Sequence, residues 1–132
     1  MFKTIMNEVT VKEETKLLNE DFPDPCLLIT NNQYFVYSTQ KATTISTINV
    51  PFNFGSSLMS LNTHIHESMP IKPIWSVGQN IWAPDVIELN GEFIMFFSCS
   101  YNSQNDMAIG IATASSLMGP FIPQDQPLVQ GP

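Results

Sequence analysis

The sequence predicts an all-β fold of repeated antiparallel sheets stacked side by side, the plan of a β-propeller. Three observations lead there. First, short β-branched and aromatic runs recur, each bounded by Asn, Gly or Pro: Cys26-Leu27-Leu28-Ile29, Tyr34-Phe35-Val36-Tyr37, Val86-Ile87-Glu88-Leu89, Phe93-Ile94-Met95-Phe96-Phe97 and Met107 to Thr113. Second, two stretches repeat each other about 60 residues apart. Pro23-Asp24 matches Pro84-Asp85, Asn31-Asn32 matches Asn90-Gly91, and Tyr34 to Ser38 matches the run from Phe93 to Ser98. Third, the first two runs are apolar at successive positions, which implies burial on both faces. A sheet apolar on both faces has to stack on neighbours, and radial stacking of such sheets makes a propeller. No long amphipathic helical pattern competes. A β-sandwich is the alternative, but it calls for shorter, more evenly spaced strands.

Taken in order, residues 1–19 are a polar lead-in, with a short helical turn expected at Glu13 to Leu18. The remainder, 20–132, is one partial propeller domain, with blade one at about 20–66 and blade two at about 75–121. Blade one opens at Asp21-Phe22-Pro23-Asp24-Pro25. Its first hairpin turns at Asn31-Asn32, because Asn tolerates the left-handed conformation that tight hairpins require. Thr43 to Ile48 is expected to be a third strand, and Pro51 to His66 a loop with at most a short strand or helical turn. Blade two opens at Trp82-Ala83-Pro84-Asp85 and turns at Asn90-Gly91, the strongest hairpin signal present. Ser115 to Gly119 reads as a turn. The segment from Pro120 reads as extended and Pro-rich, the start of a connection to a further blade.

Composition narrows the chemistry. The chain has 132 residues, 43% of them hydrophobic and only 13% charged, which argues against disorder. Net charge is −7 with five Lys and Arg and no basic run, so nucleic acid and anionic membrane are excluded as expected partners. A neutral ligand such as a sugar is not repelled. The segment Met1 to Glu20 holds four Glu and no apolar run, so no signal peptide is read there. The chain as written looks cytosolic, although a secreted parent with a different start is compatible with it. Cys26 and Cys99 lack metal-type spacing and are expected to be free buried thiols, a disulfide being the other option. His64 and His66 alternate, but two ligands are too few for a metal site, and a surface loop is expected.

Phe22-Pro23-Asp24-Pro25, followed by an apolar strand, a turn and Tyr34-Phe35-Val36-Tyr37-Ser38-Thr39, resembles the opening blade of family 43 glycoside hydrolases. Trp82-Ala83-Pro84-Asp85-Val86, Asn90-Gly91 and the aromatic strand after them resemble the second blade. Ile109-Gly110-Ile111-Ala112-Thr113 with Gly119-Pro120-Phe121 resembles that blade's end. The motifs cover roughly Asn19 to Phe121. The resemblance implies a five-bladed β-propeller, of which this chain holds blades one and two. It implies an inverting glycosidase acting on arabinan- or xylan-type polysaccharides, with Asp24 as the general base that activates water. Pro25 is expected to bias Asp24 to extended backbone and to aim it at the central cavity.

Further site residues follow from the same motifs. Asp85 is expected at the matching point of blade two, either near the active-site mouth, holding backbone or substrate hydroxyls, or as an Asp that stabilises the turn after Pro84. Trp82 either stacks on a sugar ring or packs between blades. Phe22 has the same two roles, with packing favoured. Cys26 departs from the family, where Ser commonly follows the Asp-Pro pair. Its size should be tolerated, and no nucleophilic role is expected.

The family's second Asp, on blade three, and its general-acid Glu, on blade four, have no counterpart here. Glu88 and Glu92 flank a hairpin turn, and Asp125 lies outside any Asp-Pro pair. Inversion needs carboxylates on both faces of the sugar, so the chain alone is expected to be inactive. No cofactor is expected, although the family implies a structural Ca²⁺ in some complete members, held by residues outside this segment. Unpaired blade faces invite self-association. The alternatives are a non-catalytic carbohydrate-binding or interaction remnant, and a truncated product without a stable fold.

Overall fold

A computed structural model describes residues 17, 18, 20–61, 64–78 and 80–131. The helical turn expected at Glu13 to Leu18 falls mostly outside them. The first sheet contains β1 (Cys26–Thr30), β2 (Gln33–Tyr37), β5 (Pro51–Gly55) and β6 (His66–Glu67), in the spatial order β1-β2-β5-β6. Between β2 and β5 a small hairpin projects, made of β3 (Lys41–Ala42) and β4 (Thr47–Ile48). The second sheet orders β7 (Ile81–Leu89), β8 (Glu92–Ser100) and β9 (Met107–Ala114), with β10 (Ile122–Pro123) and β11 (Val129–Gln130) both on the outer side of β9. All pairings are antiparallel. The outer edge of the second sheet (blade two, the first being blade one) runs on to Gln130.

The tight hairpins form where the Asn signals place them. Asn31 and Asn32 have φ of 48° and 58°, and Asn90 and Gly91 have 54° and 82°, the left-handed pair of a two-residue turn. One expectation fails in the middle of blade one. Thr43 to Ile48 is not one strand: Thr43 and Ser46 close a turn through Thr43 N–H to Ser46 O at 2.7 Å. The Thr43 hydroxyl also accepts from Ser46 N–H at 2.9 Å, a local bond that competes with a sheet ladder. The segment from Pro51 holds the short strand and the helical turn that its sequence allows: β5, whose Phe52 and Asn53 are fully buried, and a 3-10 turn at Leu58–Ser60. Asn and Gly around two Phe leave that strand only weakly marked, because its burial comes from the facing sheet and not from local propensity.

The core lies between the sheets. Phe35, Tyr37, Val50 and Phe52 of blade one meet Ile81, Val86, Met95, Phe97, Cys99, Ala112, Leu117 and Phe121 of blade two. Tyr37 crosses this layer: its ring meets Phe121 edge-on at 6.0 Å, and its hydroxyl donates to the Leu117 carbonyl at 2.5 Å. Burial pushes the Tyr37 phenol far above its ordinary pKa, so it stays a donor. Behind the connection, Glu67 accepts from the backbone N–H groups of Asn49, Val50 and Met69 at 2.6, 3.0 and 2.8 Å.

Burial on both faces of β1 is not what the structure shows. Leu27 and Ile29 are 45% and 54% exposed, while Cys26 and Leu28 face the core. The far face of blade two is likewise apolar and open, with Ile87, Ile109 and Val129 exposed. The successive apolar pattern therefore marks two sheet faces, of which the two blades cover one each.

Candidate active site at the junction of the two sheets

β1 and β7 lie against each other between the sheets, and polar bonds stitch this seam. Gln40 N–H donates to the Ile81 carbonyl at 2.9 Å, and its side-chain Oε1 accepts from Ile81 N–H at 3.2 Å. One step along, the Thr39 hydroxyl donates to Asp24 Oδ2 at 2.6 Å and accepts from Ala83 N–H at 2.8 Å. Further along, Cys26 Sγ donates to Asp85 Oδ1 at 3.4 Å and accepts from Val86 N–H at 3.3 Å.

Asp24 sits at this seam, exposed, two positions before β1. Its backbone is not extended. Asp24 has φ of 50°, and Ala83, which also precedes a proline, has 47°. Asp is one of the few residues that enter the left-handed region readily, and Ala is not, so the shared geometry comes from the fold and not from propensity. At Ala83 it accompanies a bulge in β7 between Trp82 and Asp85, where Pro84 cannot donate to the ladder.

That geometry also corrects the repeat. The turns align with Asn31 on Asn90, which sets Asp24 on Ala83, Pro25 on Pro84 and Cys26 on Asp85. Asp85 is therefore the counterpart of Cys26 and not of Asp24. The Pro-Asp pairs look alike in sequence but sit out of register by two residues, since Pro23 and Pro84 are not equivalent.

The other expected residues separate. Trp82 is 41% exposed and stands outside the inter-sheet core. Its carbonyl accepts from the Ser98 hydroxyl at 3.4 Å. Phe22 is half-buried and lines an apolar recess with Leu17, Pro25, Val36 and Leu61. Glu88 and Glu92 are exposed beside the β7–β8 turn, and Asp125 is exposed beyond β10. Sequence reasoning missed Thr39 as a site residue. Its one signal was its place directly after the strand that ends Tyr37-Ser38.

Cys26 and Cys99 are both free, and Cys26 is only half-buried. Burial raises the Cys26 thiol pKa, outweighing the Val86 N–H, with Asp85 adding to the rise. Cys99 is raised to about 11 by burial. Both are therefore thiols at neutral pH and poor nucleophiles. His64 and His66 are not simply a surface loop: His66 stacks on Phe52 and Phe54 at 5.2 and 5.6 Å, with the His64 ring edge-on at 4.7 Å. Among the described residues no three His, Cys, Asp or Glu side chains are grouped to hold a metal. Also among them, no helix is long and apolar enough to cross a membrane.

The sequence profile of glycosyl hydrolases family 43 matches residues 15–129. The chain belongs to glycoside hydrolase family 43. An extracellular endo-α-(1→5)-L-arabinanase of Thermotoga petrophila is 30% identical in an alignment that covers 74% of this chain and 22% of the relative. Among solved structures, an exo-1,5-α-L-arabinanase from a bovine ruminal metagenomic library superposes with a TM-score of 0.68 at 24% identity, covering 90% of this chain and 40% of that one. A family 43 enzyme of Xanthomonas citri complexed with xylotriose gives 0.67 at 18% identity, over 86% and 35%. The fold is thus that of the five-bladed propeller family, and the two sheets here are two of its blades. The chain spans less than a third of the length of the curated relatives it matches.

Proposed function

We propose that this family 43 chain contributes the general base, Asp24, to an inverting hydrolysis of arabinan- or xylan-type glycosides. The observation that carries the reading is Asp24 itself. It is an exposed carboxylate at the inter-blade seam, held by one hydroxyl on Oδ2, on a turn fixed by Thr39 and Pro25. A base of this kind has to be ionised, reachable by water and fixed in direction. Asp85 and the exposed Trp82 flank it on blade two as sugar contacts, one for hydroxyls and one for an apolar ring face. Phe22, through Pro25, forms the apolar footing of the same turn.

Inversion needs a second carboxyl group on the far side of the sugar, about 6.5–9.5 Å from the base. The one hydrogen bond given to the Asp24 carboxylate comes from a hydroxyl, and the reading assigns the acid and the third carboxylate to further blades of the family's propeller. Taken by itself, the chain binds sugar at most weakly and does not hydrolyse it. The test is complementation. The chain is co-expressed with the last three blades of the Thermotoga petrophila relative and assayed on arabino- and xylo-oligosaccharides. The expected result is turnover that Asp24→Asn removes. Turnover that survives Asp24→Asn would overturn the assignment.

A further inference from the structure

The seam holds one more residue with a part in this chemistry. Thr39 Oγ1 lies 2.6 Å from Asp24 Oδ2 and 2.8 Å from Ala83 N. A hydroxyl carries one proton and can accept besides. The Ala83 N–H can only donate, so the single Thr39 proton is left for Asp24. The hydrogen bonds therefore run from amide to hydroxyl to carboxylate, with Oδ2 as the acceptor.

We propose that Thr39 is the positioning residue of the base: it occupies Oδ2, leaves Oδ1 to take the proton from water, and ties the carboxylate to the backbone of the second blade. This rests on the reading of Asp24 as the base. Two further features support it. Thr39 N–H donates to the Pro23 carbonyl at 3.1 Å, so one residue holds both the main chain and the side chain of the Asp24 turn. Asp24 is also a left-handed residue before a proline, a backbone that persists only where its surroundings impose it. At 2.6 Å the bond has the length of a charge-assisted O–H to carboxylate contact. Without it, an exposed Asp side chain turns among its staggered rotamers, and a misplacement of about 1 Å can cost about a hundredfold in rate.

The full chain gives the first test through Thr39→Val, which keeps the shape and loses the hydroxyl, and Thr39→Ser, which keeps the hydroxyl. By NMR the Ala83 amide is expected to exchange about tenfold faster in Thr39→Val and to stay near wild type in Thr39→Ser. In Asp24→Ala the Ala83 amide stays protected, because its acceptor is still present, while the Thr39 hydroxyl proton passes to fast exchange. Unchanged Ala83 exchange in Thr39→Val overturns the relay. The second test is kinetic, in the complemented enzyme, where Thr39→Val should lower kcat about 10- to 100-fold with little change in KM and Thr39→Ser should restore it. Wild-type kcat in Thr39→Val overturns the positioning role. Full kcat in Asp24→Asn would instead overturn the base assignment and leave Thr39 as an inter-blade strut. If Thr39→Val fails to fold, Thr39→Ala carries both tests.

Discussion

Cys26 and Asp85 occupy equivalent places in the two blades and touch each other across the seam, Sγ to Oδ1 at 3.4 Å and 59 residues apart in sequence. The contact shows how a Cys is accommodated where the family resemblance leads one to expect Ser. Either side chain can donate to Asp85 and accept from Val86 N–H, and the two are similar in size.

Cys26→Ser should therefore leave stability within about 1 kcal/mol of wild type, whereas Cys26→Val should cost about 1–3 kcal/mol by stranding the Val86 N–H. Urea unfolding of both variants checks this. The raised thiol pKa also implies slow alkylation of Cys26 by iodoacetamide at neutral pH, with Cys99 slower still because it is buried and raised to about 11.

Tyr37 is the main polar tie through the core. Tyr37→Phe keeps the stacking on Phe52 at 5.9 Å but leaves the Leu117 carbonyl without its donor. A loss of about 1–3 kcal/mol is expected from the urea midpoint. No change would mean that another group already satisfies that carbonyl.

Gly110 lies under the Trp75–Phe97 stack, whose rings are 6.3 Å apart and nearly parallel. A Cβ there would come within 2.4 Å of the Phe97 ring and 2.9 Å of Trp75. Gly110→Ala should cost about 1–3 kcal/mol and change the tryptophan fluorescence, since Trp75 has to move.

The His66 ring is packed among Phe52, Phe54 and His64, and its buried Nε2 has no hydrogen-bond partner among the described residues. Burial, and then the charge of His64, lowers its pKa below the ordinary 6.5. The folded chain thus keeps His66 neutral while the unfolded chain protonates it near 6.5. The associated stability is present above that pH and is lost as pH falls from there through the lower folded value. Urea midpoints should drop between about pH 7 and pH 5.5, and less so in His66→Phe, which keeps the ring and removes the titration.

Much of this arrangement was legible in the residues. The hairpins at Asn31-Asn32 and Asn90-Gly91 and the strands on either side of them follow from local turn chemistry and β-propensity. What was not legible depends on tertiary contact. β5 is a strand because Phe52 and Phe54 face the other blade. Asp24 is left-handed because Thr39 and the seam hold it there. The likeness of Pro23-Asp24 to Pro84-Asp85 misled by two residues, because the strand pairing that runs back from the turns, and not the shared dipeptide, sets the true register. Thr39 was visible only as the end of a strand motif. Its role needs the second blade, whose Ala83 N–H fixes the direction of its proton.

The measurement that bears most directly on Asp24 as the base of an inverting site is the anomeric form of the first product. The complemented enzyme, built from this chain and the last three blades of a relative, is followed by ¹H NMR as it cleaves an arabino-oligosaccharide. The account expects the inverted anomer to appear first, and no product from Asp24→Asn. Release of the retained anomer, or the same product at the same rate from Asp24→Asn, would contradict it.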